Sequence, residues 1–438
     1  MKVFKFGGTS VGSPENMRSV MQIIADGEPK IVVLSAMSGT TNALVEISKQ
    51  LYAGKKVEAK NLIVELKTKY DQVIQDLYTT ANFKEKGQNI VENQFRVLNQ
   101  QVEGEFNEVK EQINLAQGEL ISTALVTFLL QENGIKAALL PALDFMRIDE
   151  NKQANITAIT ELVKPVLANA GPQDIYITQG FICRNDEGDI DNLQRGGSDY
   201  TATLLGAAIQ SEEVEIWTDI DGIHNNDPRF VENTKKIDNL LFVEAAELAY
   251  FGAKILHPLT ILPAKQANIP VRLKNTMNPT DPGTLISNDK TISGLKAVAA
   301  KDQITAIKIR SDRMLMAYGF LRKVFEVFER YKTSIDMITT SEVAISITID
   351  NNKNLEKIVE ELKTLGDVEV DTDQTIVCVV GDMISEEKVF SKHVFEALEG
   401  IPVRMISFGG SRYNVSILIN SEFKKETLQK LSNHLFKN

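Results

Sequence analysis

The chain opens with apolar and polar positions arranged as a strand, a helix and a second strand. Residues 2–6, KVFKF, have the period and composition of a short strand. A helix is then predicted in SPENMRSVMQII, with Ser13 as N-cap and Pro14 at the first helical position. The apolar run KIVVLSA follows and is typical of a strand covered on both faces. This order indicates the start of a parallel α/β sheet.

The middle of the chain changes from strand to helix periods and back. Residues 42–132 are rich in charged, helix-forming residues, with no proline between Pro29 and Pro141, and predict a mainly helical excursion. Strand patterns return in KAALLP, DIYITQGFI and VEIWTDI, and helical patterns appear in TATLLGAAIQ and FVEAAELAYFGAKILH. Residues 274–294 are dense in Asn, Asp, Pro and Gly, which predicts turns that close a first domain.

The C-terminal third contains an internal repeat. VFEVFERYKTSIDMITTSEVAISITI begins at Val324, and VFEALEGIPVRMISFGGSRYNVSILI begins at Val394. The offset is 394 − 324 = 70 residues, and both copies read as a helix, a turn, a strand, a polar turn and an alternating strand. The repeat predicts two small α+β modules, although a chance match of short amphipathic elements is the alternative.

Composition narrows the class of protein. The chain has 438 residues, which suggests roughly three domains. Its formal net charge of −11 does not favour nucleic acid or anionic membrane as a partner. Cys183 and Cys378 lie far apart and suggest neither a disulfide framework nor a metal site. With no signal pattern and no apolar run near the ~20 residues of a membrane helix, we expect a cytoplasmic protein.

Three glycine and hydroxyl clusters are candidates for anion binding. They are KFGGTS at residues 5–10, LSAMSGTTN at residues 34–42 and QRGGSDYTA at residues 194–202. Each follows a predicted strand or begins a helix, where bare backbone N–H groups bind phosphate or carboxylate. No P-loop or dinucleotide fingerprint occurs. Any one cluster alone could be a simple turn, but three at one sheet edge favour a ligand site.

The remaining polar motifs fit transfer to a carboxylate. WTDIDGIHNNDPR, beginning at Trp217, is suited to nucleotide or metal contacts, although a turn-rich connection has the same composition. The chain has four histidines, none in a Ser-His-Asp or metal-ligand arrangement. An activated hydroxyl usually needs a base, whereas a carboxylate is already ionised at neutral pH. Phosphoryl transfer to a carboxylate needs positioning and charge neutralisation, by cations, N–H groups and Mg²⁺.

The ordered motifs KFGGTS, LSAMSGTTN, QGEL, TQGFI, RGGSDYTA, WTDIDGI, DPR and FGAKILHP resemble the aspartokinase branch of the amino-acid-kinase family, over essentially the whole chain. The resemblance implies an amino-acid-kinase-like sandwich with a mainly parallel central sheet, followed by two ferredoxin-like ACT modules. The expected catalytic domain is 1–290, the first ACT module is 311–377, and the second combines 295–310 with 378–438.

The resemblance also implies ATP-dependent phosphorylation of the side-chain carboxylate of L-aspartate, with Mg²⁺ and no metal site of the protein's own. The residues that match the family's catalytic, phosphate and aspartate positions are Lys5, Asp199, Gly7, Gly8, Gly196, Gly197, Ser35, Thr41, Glu119, Arg195 and Ser198. The nucleotide-side positions are Thr218, Asp219, His224, Arg229 and Lys254. Glu119 is expected to face the substrate ammonium and Arg195 a substrate carboxylate.

Two positions depart from the family pattern. Gln117 stands where relatives often have histidine, beside Glu119, and His224 stands where tyrosine is common. Imidazole can still stack on adenine, so we expect a changed nucleotide affinity and retained activity.

The repeated modules are expected to sense an amino acid. SIDMITTSE and MLMAYGFL resemble the lysine-binding segments of lysine-inhibited relatives, so Asp336 would contact the effector ammonium. The pocket would be lined by Met314, Phe320, Ile335, Thr340 and Ser341. A solvated turn carboxylate is the alternative for Asp336. Lysine is the favoured effector, threonine or joint inhibition stay open, and a homodimer or homotetramer through the ACT modules is expected.

Other functions remain open at this stage. The same fold could use glutamate, acetylglutamate, carbamate or a nucleoside monophosphate as acceptor. Glu119 together with Arg195 favours an amino acid, because only an amino acid brings an ammonium group that needs an anionic partner. A catalytically silent amino-acid sensor is the alternative from another class, and Lys5 with the intact glycine clusters argues against it.

Overall fold

The computed structural model describes residues 1–193, 196–252, 256–289, 294–314, 318–382 and 390–436. The chain divides into two compact units. The first consists of Met1–Gly222 and Leu256–Asn288, and the second consists of Ile223–Ile255 and Asp289–Asn438.

The elements follow one another in an α/β order and then in an α+β order. In chain order they are β1 (Lys2–Phe6), α1 (Pro14–Ile24), β2 (Lys30–Leu34), α2 (Thr40–Tyr52), α3 (Lys56–Leu77), α4 (Ala81–Gln101), α5 (Glu108–Glu132), β3 (Ala137–Leu140), α6 (Ala142–Phe145), α7 (Ile156–Ala170), β4 (Ile175–Gln179), β5 (Ile182–Arg184), β6 (Ile190–Asn192), α8 (Gly197–Ile209), β7 (Val214–Thr218), β8 (Asn239–Leu241), α9 (Phe242–Tyr250), α10 (Leu262–Gln266), β9 (Val271–Asn275) and β10 (Thr284–Ser287). They continue with β11 (Leu295–Arg310), α11 (Phe320–Arg330), β12 (Ile338–Thr340), β13 (Ala344–Ile349), α12 (Leu355–Leu362), β14 (Asp367–Gly381), α13 (Phe390–Ala397), β15 (Val403–Phe408), β16 (Asn414–Asn420) and α14 (Lys424–Leu435).

A mainly parallel sheet forms the centre of the first unit. Its strands run in the order β3-β4-β2-β1-β7-β9-β10. All neighbours from β3 to β9 are parallel, and β9 pairs with β10 antiparallel. The predicted opening is confirmed, since the Ser13 side chain accepts a hydrogen bond from the backbone N–H of Asn16 at the start of α1. The carboxyl ends of β1, β2, β4 and β7 therefore meet at one edge, where open sheets bind ligands.

The predicted helical excursion is the run of four helices from α2 to α5. α5 is long and apolar enough to cross a membrane by length and composition, which the sequence prediction missed. In the structure, 78% of its most apolar 18-residue window is buried inside the protein. Leu125 and Leu130 on α5 share a core with Phe6 and Leu34 of the sheet. α5 is therefore a core helix that supports the ligand-binding edge from behind.

One antiparallel sheet carries both copies of the repeat in the second unit. Its order is β12-β13-β11-β14-β16-β15. The first copy is α11-β12-β13 and the second is α13-β15-β16, so the helix-and-hairpin repeat and the fold class are confirmed. The final strands begin at Ala344 and Asn414, again 414 − 344 = 70 residues apart. β11 runs along both modules, because its second half pairs with β13 and its whole length with β14.

The helix predicted through residue 257 is shorter in the structure. α9 ends at Tyr250, and Gly252 follows with a positive φ of 124°. A Cβ at residue 252 would collide with the carbonyl oxygen of Ala300 on β11. The helix ends because glycine alone allows this left-handed turn and this approach of two backbones.

Candidate active site

A cavity of about 500 Å³ lies at the carboxyl edge of the parallel sheet. Five segments that are distant in sequence form it: the ends of β1 and β2, one turn of α5, Phe181 after β4 and the start of α8. Its lining residues are Lys5, Gly8, Thr9, Ser35, Ala36, Met37, Ser38, Gly39, Thr41, Glu119, Phe181, Gly196, Gly197, Ser198 and Asp199. Nine of the predicted site residues are among them, so the structure brings the three glycine and hydroxyl clusters together.

The lysine of the first motif is paired with an acid of the third. Lys5 Nζ lies 2.7 Å from Asp199 Oδ1, and both side chains are only slightly exposed, at 13% and 16%. Gly7 and Gly8 follow β1 without side chains. A Cβ at Gly8 would lie 2.9 Å from the carbonyl oxygen of Ala36, so the close approach of this turn to the end of β2 requires glycine. The Lys5–Asp199 pair therefore holds an ammonium group at the carboxyl end of β1, next to backbone N–H groups that no side chain covers.

Glu119 is a buried carboxylate with one oxygen left for a ligand. Its side chain lies on α5, and the residue is 4% exposed. The backbone N–H of Ala36 donates to Oε1 at 3.1 Å, while Oε2 has no hydrogen-bond partner among the described residues. Burial raises the pKa of Glu119 to about 8, against the opposing effect of the Ala36 N–H. A bound cation would compensate this buried charge, as the substrate ammonium is expected to do.

The start of α8 has the backbone geometry that the predicted anion site requires. Gly196 has a left-handed φ of 74°, and no side chain of the described residues caps the first turn. A Cβ on Gly197 would lie 2.7 Å from the Phe181 ring, so the turn requires glycine there. Ser35 Oγ donates to Ser198 Oγ at 3.0 Å, which ties β2 to this turn. The free N–H groups and the helix dipole favour a negatively charged ligand.

The nucleotide-side predictions fall in both units. Thr218 is the last residue of β7 in the first unit, and Asp219, which follows it, lines a second cavity of about 450 Å³. Thr9 lines both cavities and so connects their walls. His224 and Arg229 belong to the second unit. The His224 ring lies 2.8 Å from Thr234 Oγ1, and the Arg229 guanidinium contacts the Asp227 carboxylate at 2.6 Å.

Arg195 and Lys254 lie outside the described residues. Gln117 is buried on α5, where its amide donates to the Ile113 carbonyl at 2.7 Å, and it is absent from the cavity lining. Phe181 was not predicted individually. It has a positive φ of 69°, unusual for a residue with a side chain, and it forms one wall of the cavity. The TQGFI motif could have indicated Phe181, because it places an aromatic residue after a glycine at a strand end.

The predicted effector residues lie around the first module of the second unit. Phe320 belongs to the module's core, and Met314 and Ile335 pack against it. Thr340 is exposed at the end of β12, and the Ser341 N–H donates to Ala344 at 2.8 Å.

Asp336 differs from a solvated turn carboxylate. Its side chain is 1% exposed and lies 2.7 Å from Lys301 Nζ. The Tyr250 hydroxyl donates to the same carboxylate oxygen at 2.6 Å.

Comparisons with known proteins agree with this architecture. Residues 1–275 match the model of the amino acid kinase family, and residues 377–435 match an ACT domain. Lysine-sensitive aspartokinase 3 of Escherichia coli is 35% identical, and the match covers 99% of both chains. Aspartokinase 2 of Arabidopsis thaliana, a chloroplastic protein, is 33% identical over 99% of this chain and 84% of its own length.

Solved structures give the same result. The crystal structure of Escherichia coli aspartokinase III in complex with aspartate and ADP matches with a TM-score of 0.83 at 34% identity, over all of both chains. The same enzyme in complex with lysine and aspartate matches with a TM-score of 0.82. The chain therefore belongs to the amino acid kinase family, in its aspartokinase branch, and carries an ACT domain near its C-terminus.

Proposed function

We propose that the protein transfers the γ-phosphoryl group of ATP to the side-chain carboxylate of L-aspartate. The products are 4-phospho-L-aspartate and ADP, in the first step towards lysine, threonine and methionine. Support comes from relatives named aspartokinase over the full length and from a similar structure that contains aspartate and ADP. We take the location to be cytoplasmic.

The observation that carries the proposal is the position of Glu119 in the same cavity as the Lys5–Asp199 pair. A buried carboxylate with a free oxygen suits the ammonium group of an amino acid. Carbamate, acetylglutamate and a nucleoside monophosphate have no free ammonium group. An amino acid that carries a second carboxylate is therefore the acceptor that fits best.

The reaction needs charge neutralisation more than proton transfer. An oxygen of the aspartate side chain forms the new bond to the γ-phosphorus, and the bond from that phosphorus to the β,γ-bridging oxygen breaks, so that ADP leaves with the electron pair. The acceptor is ionised near neutral pH and needs no base. Lys5 would stabilise charge on the transferred group, with Asp199 holding its ammonium in place. Mg²⁺, coordinated mainly by phosphate oxygens and water, would neutralise the remaining charge.

The other roles are proposals of the same kind. The bare N–H groups at Gly7, Gly8, Gly196 and Gly197 would hold phosphate, and Thr218 and Asp219 would contact the nucleotide. His224, Arg229 and Lys254 would contact it too, and Ser35, Thr41, Arg195 and Ser198 would contact aspartate. These roles follow the order of the family's motifs along this sequence.

We also propose feedback inhibition by L-lysine bound at the first module of the second unit. A relative covering the whole chain is named lysine-sensitive, and a similar structure contains lysine. Asp336 would bind an ammonium group of the effector, beside Met314, Phe320, Ile335, Thr340 and Ser341. Assembly into homodimers or homotetramers through the ACT modules is part of this proposal.

A coupled assay of ADP release tests the catalytic proposal. With Mg-ATP, we expect turnover with L-aspartate and little with glutamate, acetylglutamate or carbamate. Glu119→Gln should raise the KM for aspartate strongly, and Lys5→Ala should abolish turnover. No aspartate-dependent ADP release would refute the proposal. Unchanged ATP binding and turnover in Lys5→Ala would show that Lys5 has no catalytic role. Adding lysine or threonine to the same assay identifies the effector.

A further inference from the structure

The Asp336 carboxylate already holds an internal cation. Lys301, on β11, lies 2.7 Å from Asp336 Oδ1 and 2.9 Å from Asp350 Oδ2. Burial lowers the pKa of Lys301, but hydrogen bonds to the two carboxylates outweigh it and hold the pKa above its usual value. The Lys301 ammonium is therefore charged and is shared by two carboxyl groups.

An external ammonium group cannot reach Asp336 in this arrangement. Oδ1 is shared by Lys301 Nζ and the Tyr250 hydroxyl. Oδ2 is buried and has no hydrogen-bond partner in the described part of the chain. A ligand cation must therefore move Lys301 or Tyr250 before it can pair with this carboxylate, because both of its oxygens are closed to solvent.

Tyr250 connects this cluster to another part of the second unit. It is the last residue of α9, and its ring lies 4.3 Å from Lys301 Nζ. Two residues later, Gly252 packs against the carbonyl of Ala300, the residue before Lys301. The end of α9 is thus fixed to β11 at the position of the internal cation.

We propose that Lys301 is a tethered substitute for the effector's ammonium group, and that its displacement from Asp336 frees the Tyr250 hydroxyl and thereby changes the end of α9. This inference rests on the proposed function in two respects, the binding of the effector at Asp336 and the inhibition of the kinase by that effector. It adds a physical reason why effector binding changes the protein: the effector replaces Lys301, a cation that also contacts Tyr250 at the end of α9.

Calorimetric titration with lysine tests the displacement. Lys301→Met removes the competing ammonium and keeps the aliphatic stem, so the Kd for lysine should fall on the order of tenfold. Lys308→Met is the matched control, because Lys308 lies on the same strand and pairs with Glu369 at 3.2 Å, away from Asp336. Its Kd should equal that of the wild type. Lys301→Gln covers the case in which the methionine variant does not fold, and it should also bind lysine more tightly than the wild type.

The signal to α9 has its own measurement. The ratio of lysine Kd values with and without saturating Mg-ADP is the coupling between the two sites, expected to be about fivefold or more in the wild type. Tyr250→Phe removes only the hydroxyl and should bring the ratio towards one. Tyr331→Phe is the control, since its hydroxyl donates to Glu361 at 2.6 Å in the same module, and it should keep the wild-type ratio.

The outcomes separate the inference from the proposed function. If the wild type binds lysine but Lys301→Met binds it equally or more weakly, Lys301 is part of the site and not a competitor, and the inference is wrong. An unchanged coupling ratio in Tyr250→Phe, or a ratio of one in the wild type, equally contradicts it. If neither the wild type nor Lys301→Met binds lysine, the effector assignment itself is wrong and the inference ends with it.

Discussion

The buried carboxylate of Glu119 predicts that aspartate binding depends on pH. Its pKa is raised to about 8 by burial, and Oε2 has no partner within the described residues. In the ligand-free protein near pH 7 the group is therefore mostly protonated. An ammonium group pairs with the ionised form, so binding near neutral pH must release a proton from Glu119.

The size of the effect follows from the pKa. Ionising a group of pKa about 8 at pH 7 costs about 1.4 kcal/mol, or about tenfold in the KM for aspartate, on the scale of 1.36 kcal/mol for each pH unit. The KM should fall by about tenfold for each pH unit up to about pH 8 and then level off, as long as the substrate's own ammonium remains protonated. The same raised pKa lowers the free energy of unfolding as pH rises, whereas aspartate binding improves with pH. Ionisation of Glu119 is harder in the folded state, so its contribution makes the protein less stable as pH rises from its ordinary pKa towards 8.

Steady-state kinetics between about pH 6 and pH 8.5 measure the slope. Titration of aspartate in two buffers of different ionisation enthalpy counts the released proton, expected to approach one at pH 7. Glu119→Gln keeps the shape and removes the titrating group, so its KM should be high and independent of pH. A wild-type KM that is flat across this range, with no proton release, would refute the reasoning, as would a Glu119→Gln variant with the wild-type slope.

Three further predictions concern the same cavity. Asp199→Asn removes the partner of Lys5 and should lower kcat by about 10² to 10³ with a similar KM for aspartate. The control is Glu215→Gln, which breaks the Lys2–Glu215 pair at the other end of β1 and should leave kcat unchanged. Equal losses of kcat in both variants would contradict a role of Asp199 in positioning Lys5. Gly180→Ala should raise the KM for aspartate, because the new Cβ would lie 2.5 Å from Ser198 Oγ and 2.8 Å from Ser198 Cα and would displace Ser198. Gly410→Ala is the control, since no atom lies within 4 Å of a Cβ there. A wild-type KM for Gly180→Ala would show that aspartate binding does not depend on the position of Ser198. Gln117→His should change the KM by less than about twofold, since Gln117 lies outside the cavity lining, and a larger change in kinetic assays would show that it contacts the substrate.

Local patterns predicted the elements that local chemistry controls. Ser13 and Pro14 predicted the start of α1, and the 70-residue offset predicted two copies of a helix and a hairpin. The glycine and hydroxyl clusters predicted one ligand edge, because parallel strands bring their carboxyl ends together. Glu119 could be assigned only through the family resemblance, since a glutamate within an apolar helix gives no sign of what it faces.

Long-range contacts account for what the sequence left out. The end of α9 depends on the packing of Gly252 against Ala300, 48 residues away by 300 − 252, and no pattern near Gly252 reveals that contact. The burial of Asp336 likewise depends on Lys301 and Tyr250, which belong to other elements. A turn carboxylate is solvated by default, so its real environment was visible only once the strands were paired.

Glu119 and Asp336 show how one kind of group serves two purposes. Each is a buried carboxylate with one oxygen held by the protein and the other without a partner among the described residues. Within the described part of the chain, Glu119 accepts a hydrogen bond from the Ala36 N–H and forms no ion pair, so a substrate ammonium has no paired cation to displace there. Asp336 has Lys301, so an effector must replace a charge that is already bound. We expect substrate binding to release one proton from Glu119, and effector binding to require a conformational change in β11 and α9. Such a change is the condition for a bound effector to alter a distant site.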